Sequence, residues 1–240
     1  MTELYPGPFG LVSDAHGNPH GLRTALDLLR GRGVKTIFFL GDAVGYLPLE
    51  GEVLCLLRAA GAICIAGNHE AMLMGRLPCR ADEVYRIAAA RARLSAQEID
   101  EMRAWPDQRL IADERTPDRS LLLVHGSPAD PLQDYVYPDS DLRFVDDLDA
   151  TGVACGQTHR PFIAERSSKI VVNCGSVGLP RDIGNSASCA RVDLTQMRCE
   201  ILRGRFDVGR LLDECERIEP PHPGVVAVLH RNSPAAAELT

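Results

Sequence analysis

The chain has 240 residues, enough for one large domain or two small ones around a sizeable buried core. Its 26 Lys and Arg against 33 Asp and Glu leave a net charge of −7, which argues against a general nucleic-acid or anionic-membrane binder, since both need basic surfaces. No stretch approaches the ~20 apolar residues of a membrane span, Met1–Pro8 has no basic, apolar leader, and the eight cysteines include no Cys-x-x-Cys pair, so reduced thiols in a cytoplasmic protein are expected.

The first apolar run, Phe9–Val12, ends in Ser13-Asp14-Ala15-His16-Gly17-Asn18. In extended backbone, residues two apart point to the same side, so this spacing sets a hard oxygen donor, Asp14, beside the imidazole of His16. That pair suits a divalent transition metal, although Asp-x-His at such a turn can also simply cap a helix. Asn18 is a good N-cap and Pro19 a good first helical residue. Leu22, Leu26 and Leu29 then recur at helical spacing, and Gly31 and Gly33 supply a stop. Thr36–Leu40 reads as a strand covered on both faces and ends in Gly41-Asp42-Ala43-Val44-Gly45. A helix with Val53, Leu54, Leu57 and Ala60 on one face ends at Gly61, and the strand Ala62–Ala66 ends in Gly67-Asn68-His69-Glu70. This is β-α-β-α-β. Right-handed crossovers bring the carboxyl ends of such strands to one edge of the sheet, where open α/β sheets bind ligands.

From Ala71 to Arg119 the pattern is mostly helical, with Ser95-x-x-Glu98 as a capping box for a helix to Ala104 and Pro106 as its stop. Arg80, Arg86, Arg91 and Arg93 are expected on a solvated face; alternatively the segment caps the crevice. Leu121–Val124 ends in His125-Gly126-Ser127-Pro128. An acidic connection over 129–150, with a helix near 140–148, leads to the strand Val153–Cys155 and its end, Gly156-Gln157-Thr158-His159. Two hairpins follow, 162–173 and 188–203, separated by the glycine-rich loop Asn173–Gly178; then comes a helix capped by Asp207. Beyond Pro220 the chain is proline-rich, and it is expected to fray from about 231. The expected fold class is α/β: a four-layer αββα sandwich of two mixed β-sheets flanked by helices. It forms one domain over 1–240, with a cap-like helical insertion over about 71–119.

These motifs resemble the calcineurin-like metallophosphoesterase superfamily, in particular its small bacterial phosphodiesterase and phosphatase-like branch. The resemblance rests on Asp14-x-His16-Gly-Asn18, Gly41-Asp42-x-Val44-Gly45-Tyr46, Gly67-Asn68-His69-Glu70, His125-Gly-Ser-Pro and Ser176-Val-Gly-x-Pro-Arg181-Asp, in order from Leu11 to Leu194. It implies two divalent ions, drawn from Mn, Fe, Zn, Ni or Co. By position, Asp14, His16 and His159 would hold one, Asn68 and His125 the other, and Asp42 would bridge them. It also implies hydrolysis of a phosphodiester or small phosphate ester by a metal-bridging hydroxide, with His69 the unligated catalytic histidine. Gln157 departs from the family's Gly-His-Thr-His motif, where a histidine binds the second ion. An amide oxygen is a weaker donor of the same charge, so that ion is expected to bind less tightly.

Arg160 and Arg181 are candidates for gripping phosphate oxygens, the alternative being structural ion pairs. Tyr46 and Asn18 are expected to support loops, and His20, His222 and His230 match no motif. The expected partner is a small phosphate-ester substrate, with no membrane and no nucleic acid; a homo-oligomer stays open. The rival function is a non-catalytic, metal-stabilised protein-binding scaffold of the same fold, which would have no need of Asn68 and His69.

Overall fold

The computed structural model describes residues 2–233. Two mixed sheets pack face to face. The first has five strands in the order β11-β10-β2-β3-β4: β2 (Phe9–Val12), β3 (Thr36–Phe39) and β4 (Ile63–Cys64) run parallel, and the hairpin β10 (Ser186–Asp193)–β11 (Arg198–Arg205) joins antiparallel to β2. The second has six strands in the order β1-β5-β6-β7-β9-β8. These are β1 (Glu3–Tyr5), β5 (Gln108–Asp113), β6 (Thr116–Val124), β7 (Gly152–Cys155), β8 (Phe162–Arg166) and β9 (Lys169–Asn173).

Alternation along β2 explains why both of its faces are covered. Phe9 and Leu11 point between the sheets, with Phe38, Leu40 and Ile65 from the same sheet and Leu121, Leu123, Ala154 and Val172 from the other. Val12 points the opposite way, into the layer formed by α1 (Pro19–Gly31) and α2 (Glu50–Ala59), where Leu22, Leu26, Leu29, Val53, Leu54 and Leu57 are buried. Each such side chain contributes about 1.5–3 kcal/mol by leaving water. Asn18 caps α1 by accepting from the Gly21 amide at 3.0 Å, with Pro19 at the first helical position. The outer face of the second sheet (Val124, Val153, Cys155, Val171) is covered by Val136 and Val145 from the 129–150 connection.

Parallel order sends the carboxyl ends of β2, β3 and β4 to one edge of the first sheet, and those of β6 and β7 to the same edge of the second. All five ends therefore open on one crevice. Short helices α3 (Asn68–Leu73), α4 (Asp82–Tyr85), α5 (Ile87–Arg93) and α6 (Ala96–Arg103) follow β4, and α7 (Val208–Glu216) follows β11.

Several expectations are corrected. The helical segment after Ala71 stops at Arg103, and residues 108–119 belong to the β5–β6 hairpin instead. In Gln108–Asp113 only Leu110-Ile111-Ala112 are apolar in sequence, too short a run to display a two-residue period. The helix expected near 140–148 shrinks to one 3₁₀ turn at Leu142–Val145, and the proline-rich tail contains α8 (Pro223–Leu229). There Pro223 opens the helix and His222 caps it, its Nδ1 accepting from the Gly224 amide at 3.1 Å. Fraying does not begin at 231: the Ser233 amide donates to the Asp182 carbonyl at 3.0 Å and Asn232 bridges Ile183. The rest of the expected tail, 234–240, lies outside the described residues. Arg86 and Arg93 are not on a solvated face either. Both pair with Glu219, and Arg93 also reaches the buried Glu50 at 2.6 Å, tying α5 to α2 and to the C-terminal segment.

Candidate metal centre

Asp14, His16, Asp42, Asn68, His69, His125, Gln157 and His159 all meet in the crevice, and all but the half-buried Asn68 are buried. The backbone that brings them there is not the extended one expected. Asp14 (φ 55°), His16 (φ 47°), Asp42 (φ 64°), Gln157 (φ 66°) and His159 (φ 58°) occupy the left-handed region. Side chains pay for that conformation with steric strain, and such strain gathers at functional sites because the surrounding contacts must enforce it. Asp14 and His16 thus converge because the chain turns sharply at each, not because a strand alternates.

The enforcing contacts are visible. The loop Asn173–Gly178 lies against the Asp14 turn: Val177 and Gly178 amides donate to the Ser13 and Asp14 carbonyls, both at 3.0 Å, and Ser176 Oγ donates to the Asp14 carbonyl at 2.7 Å. Asn18 returns the contact through Nδ2 to the Gly178 carbonyl at 2.8 Å. Any Cβ on Gly178 would overlap the Ala15 carbonyl. A Gly178→Ala variant should therefore lose about 1–3 kcal/mol of stability and bind divalent ions more weakly; a thermal melt and a metal titration check both. Glu70 clamps the second turn. Its carboxylate accepts from the amides of Asp42, Ala43 and Gly67, each at 2.8 Å. The role of Glu70 was missed in the sequence, where the only signal was an acidic residue following His69 at a helix start.

The donor set satisfies a specific test for cations. His16 Nδ1 lies 3.2 Å from the Val44 carbonyl, His125 Nδ1 2.7 Å from that of Leu40, and His159 Nδ1 2.6 Å from that of Leu179. A carbonyl only accepts, so in each ring Nδ1 carries a proton, and in the neutral rings of His16 and His159 the Nε2 lone pair faces the crevice. His16 Nε2 and His159 Nε2 are then two lone pairs 3.1 Å apart, with Asp14 Oδ1 3.9 and 3.4 Å away. Asp14 Oδ1 is buried without any hydrogen-bond partner. Such an arrangement repels itself unless a cation lies among the atoms, and imidazole anchored by a backbone carbonyl is the usual posture of a metal-bound histidine.

A second cluster shares Asp42. Its Oδ2 is 3.3 Å from His125 Nε2 and 3.6 Å from His16 Nε2, facing both groups. His125 Nε2 is also 3.2 Å from Asn68 Oδ1 and 2.8 Å from Gln157 Oε1. The Gln157 amide nitrogen donates to the Leu132 carbonyl at 3.2 Å, which turns Oε1 inward.

Burial favours neutral imidazole, and it lowers His16 well below its ordinary value and pushes His159 down to about 3, so both offer lone pairs at neutral pH. Burial opposes charge at His125 too, but the Asp42 and Asp14 carboxylates push it up to about 10. In return, and against the cost of burial, His125 and His69 hold Asp42 below the carboxylate range. Burial raises Asp14 to about 7, with the Asp42 charge adding to it.

His69 stands beside this set: Nε2 is 3.9 Å from Asp42 Oδ2, and Nδ1 has no partner. Its ring stacks on Tyr46 at 5.1 Å and meets Tyr85 at 5.0 Å, so Tyr46 lines the site and is more than a loop support. Arg160 and Arg181 line the same cavity, and neither takes the structural ion pair that was the alternative for them among the described residues. Asn18 does hold loops, as expected. His20 pairs with Glu214 at 2.7 Å, away from the crevice. All eight cysteines are free, and Cys174 is a buried thiol raised well above its usual value by burial. No helix among the described residues is long and apolar enough to cross a membrane.

Residues 8–197 match the calcineurin-like phosphoesterase superfamily domain, most of the chain. An uncharacterised protein of Methanocaldococcus jannaschii is 27% identical over 222 residues, covering 85% of this chain and 90% of its own. A hypothetical protein of Pyrococcus horikoshii superimposes with a TM-score of 0.80 at 18% identity, covering 96% of this chain and 99% of its own. A metallophosphoesterase of Sphaerobacter thermophilus does so with a TM-score of 0.77 at 24% identity, covering 93% and 98%. At these identities the two structures share the fold.

Proposed function

The chain belongs to the calcineurin-like phosphoesterase superfamily, and we propose that it is a metal-dependent hydrolase of phosphodiesters or small phosphate esters. The observation that carries this reading is the pair of facing lone pairs on His16 and His159 beside the unpartnered Asp14 Oδ1. In this reading Asp14, His16 and His159 would hold one divalent ion and Asn68 and His125 a second, with Asp42, whose Oδ2 faces both groups, as the donor they would share. Such ions supply Lewis-acid activation of water near neutral pH and neutralise charge growing on the phosphoryl oxygens.

The protein's own groups complete the chemistry. Asp42 stays ionised because the surrounding imidazoles favour its charge. His69, neutral at neutral pH and held between Tyr46 and Tyr85, is placed at the cavity surface to exchange a proton with the leaving oxygen. Arg181, whose charge is felt at both His69 and His159, is placed to meet a phosphoryl oxygen, with Arg160 beside it. The scaffold alternative is disfavoured by His69: a metal-stabilised binding module has no use for a buried imidazole that lines the cavity beside Asp42.

The test is turnover of bis(4-nitrophenyl) phosphate by protein stripped of metal and reloaded with manganese. Activity should appear only on reloading, and equal rates before and after would sink the reading.

Gln157 belongs to the second ion in this proposal, through the oxygen already turned toward His125. Amide oxygen is the poorer donor for zinc, iron or nickel, so Gln157→His should tighten the weaker of two binding events by about tenfold. Calorimetric titration of both proteins with zinc checks this, and superimposable isotherms would rule it out.

A further inference from the structure

The cavity in front of the metal centre has a volume of about 610 Å³, well beyond what one phosphoryl group fills and within the range of sites for small organic molecules. Its walls differ in chemistry. One carries Arg160, Arg181 and Arg231, from the loop after β7, the loop before β10 and the residue two past α8. Neighbouring arginines on the flanking elements are neutralised: Arg86 and Arg93 by Glu219, Arg203 by Asp182. No ion pair among the described residues engages the three in the cavity. Arg231 Nη1 donates to the Arg181 carbonyl at 3.2 Å, which seats the two residues side by side. Three guanidinium groups with no ion pair among the described residues, in a protein of net charge −7, are more than one scissile phosphate requires.

The other wall is aromatic. Tyr135 and Tyr137 are 55% and 38% exposed, yet their rings lie parallel, 9° apart with centroids at 6.1 Å. Val136 between them is buried against the second sheet, while both tyrosines line the cavity. Tyr85 continues this wall toward His69. Tyrosine faces held flat and open to solvent suit stacking by a planar ring.

We infer that the cavity takes a nucleotide: a base stacked on Tyr135 and Tyr137, with at least one phosphate beyond the scissile one held by Arg231 together with Arg181 or Arg160. This names a substrate class for the hydrolase proposed above and rests on that reading. It assigns the C-terminal segment a specificity role, because Arg231 reaches the cavity only through the docking of α8 and Asn232 beside residues 182–184.

The experiment is calorimetric titration of the metal-free protein with AMP, ADP and inorganic pyrophosphate, beside turnover of bis(4-nitrophenyl) phosphate by the manganese-loaded protein. ADP should bind about tenfold more tightly than AMP, through the added phosphate, and about tenfold more tightly than pyrophosphate, through the base. Arg231→Gln should collapse the first ratio and leave the second; the double variant Tyr135→Leu, Tyr137→Leu should do the reverse. ADP and pyrophosphate binding alike, or ratios that ignore these substitutions, would overturn the inference. Turnover of the generic diester without nucleotide binding would overturn it while leaving the hydrolase in place, whereas nucleotide binding without turnover of any ester would remove the hydrolase reading instead.

Discussion

Asp42→Ala should abolish metal-dependent hydrolysis of bis(4-nitrophenyl) phosphate, with a loss of at least about a thousandfold in kcat/KM. Asp42 has the contact set expected of a shared ligand: Oδ2 faces His125 at 3.3 Å, His16 at 3.6 Å and His69 at 3.9 Å, while Oδ1 accepts from the His69 amide at 2.9 Å. Removing it takes the common donor from both clusters and leaves His125 without the carboxylate that favours its charge. Asp42→Asn keeps the shape, and its side-chain oxygen can still accept from the His69 amide, so the fold should survive while the charge is lost. Metal content measured on both variants should fall from two ions to one or none. If Asp42→Asn kept two ions and near-normal turnover, the carboxylate would not be the bridge.

Glu70→Ala should be the most destabilising single substitution near the site. Its carboxylate satisfies the buried amides of Asp42, Ala43 and Gly67, each at 2.8 Å, and so joins the loop after β3 to the loop after β4. Each stranded amide costs about 1–3 kcal/mol, and partial relaxation brings the sum to about 4 kcal/mol, a fall in Tm on the order of 10 °C for a chain of this size. Activity should drop by about a hundredfold even below the melting temperature, because the left-handed turn of Asp42 at φ 64° loses the acceptor for its own amide and keeps only the bonds from the His16 and His69 amides. Glu70→Gln, which keeps acceptor capacity on one oxygen only, should fall between wild type and Glu70→Ala in both readouts. A wild-type melt for Glu70→Ala would show that the clamp is dispensable.

The sulfhydryls illustrate what composition alone can settle. Cys55, Cys64, Cys155 and Cys199 lie in apolar runs and read as small hydrophobes; Cys64 and Cys155 are buried, whereas Cys55 is exposed and Cys199 half-buried. The same holds for α1, where the Asn18 cap, Pro19 and a leucine stripe are local signals with local causes. The parallel strand order behind the crevice was equally legible, because continuous apolar runs alternating with amphipathic helices admit few topologies.

Less legible was everything whose partner lies far along the chain. The pairing of Asp14 with His16 was inferred from strand alternation, yet both residues sit in left-handed backbone, Asp14 held by residues 176–178 and His16 by the Asp42 carbonyl. The tautomers that aim the lone pairs depend on carbonyls from other segments, such as Leu40 for His125, 85 residues away. The β5 strand, the α8 helix, the Glu70 clamp and the Tyr135–Tyr137 wall also leave faint traces in local periodicity.

What the amino-acid order by itself determined, then, is the inventory of donors and the strand ends that carry them, since hydrophobic period and turn chemistry act within a few residues. Only the tertiary structure decided the direction of each lone pair, the strained turns and the make-up of the cavity walls. Those follow from hydrogen bonds and packing between remote segments, which no short window of sequence contains.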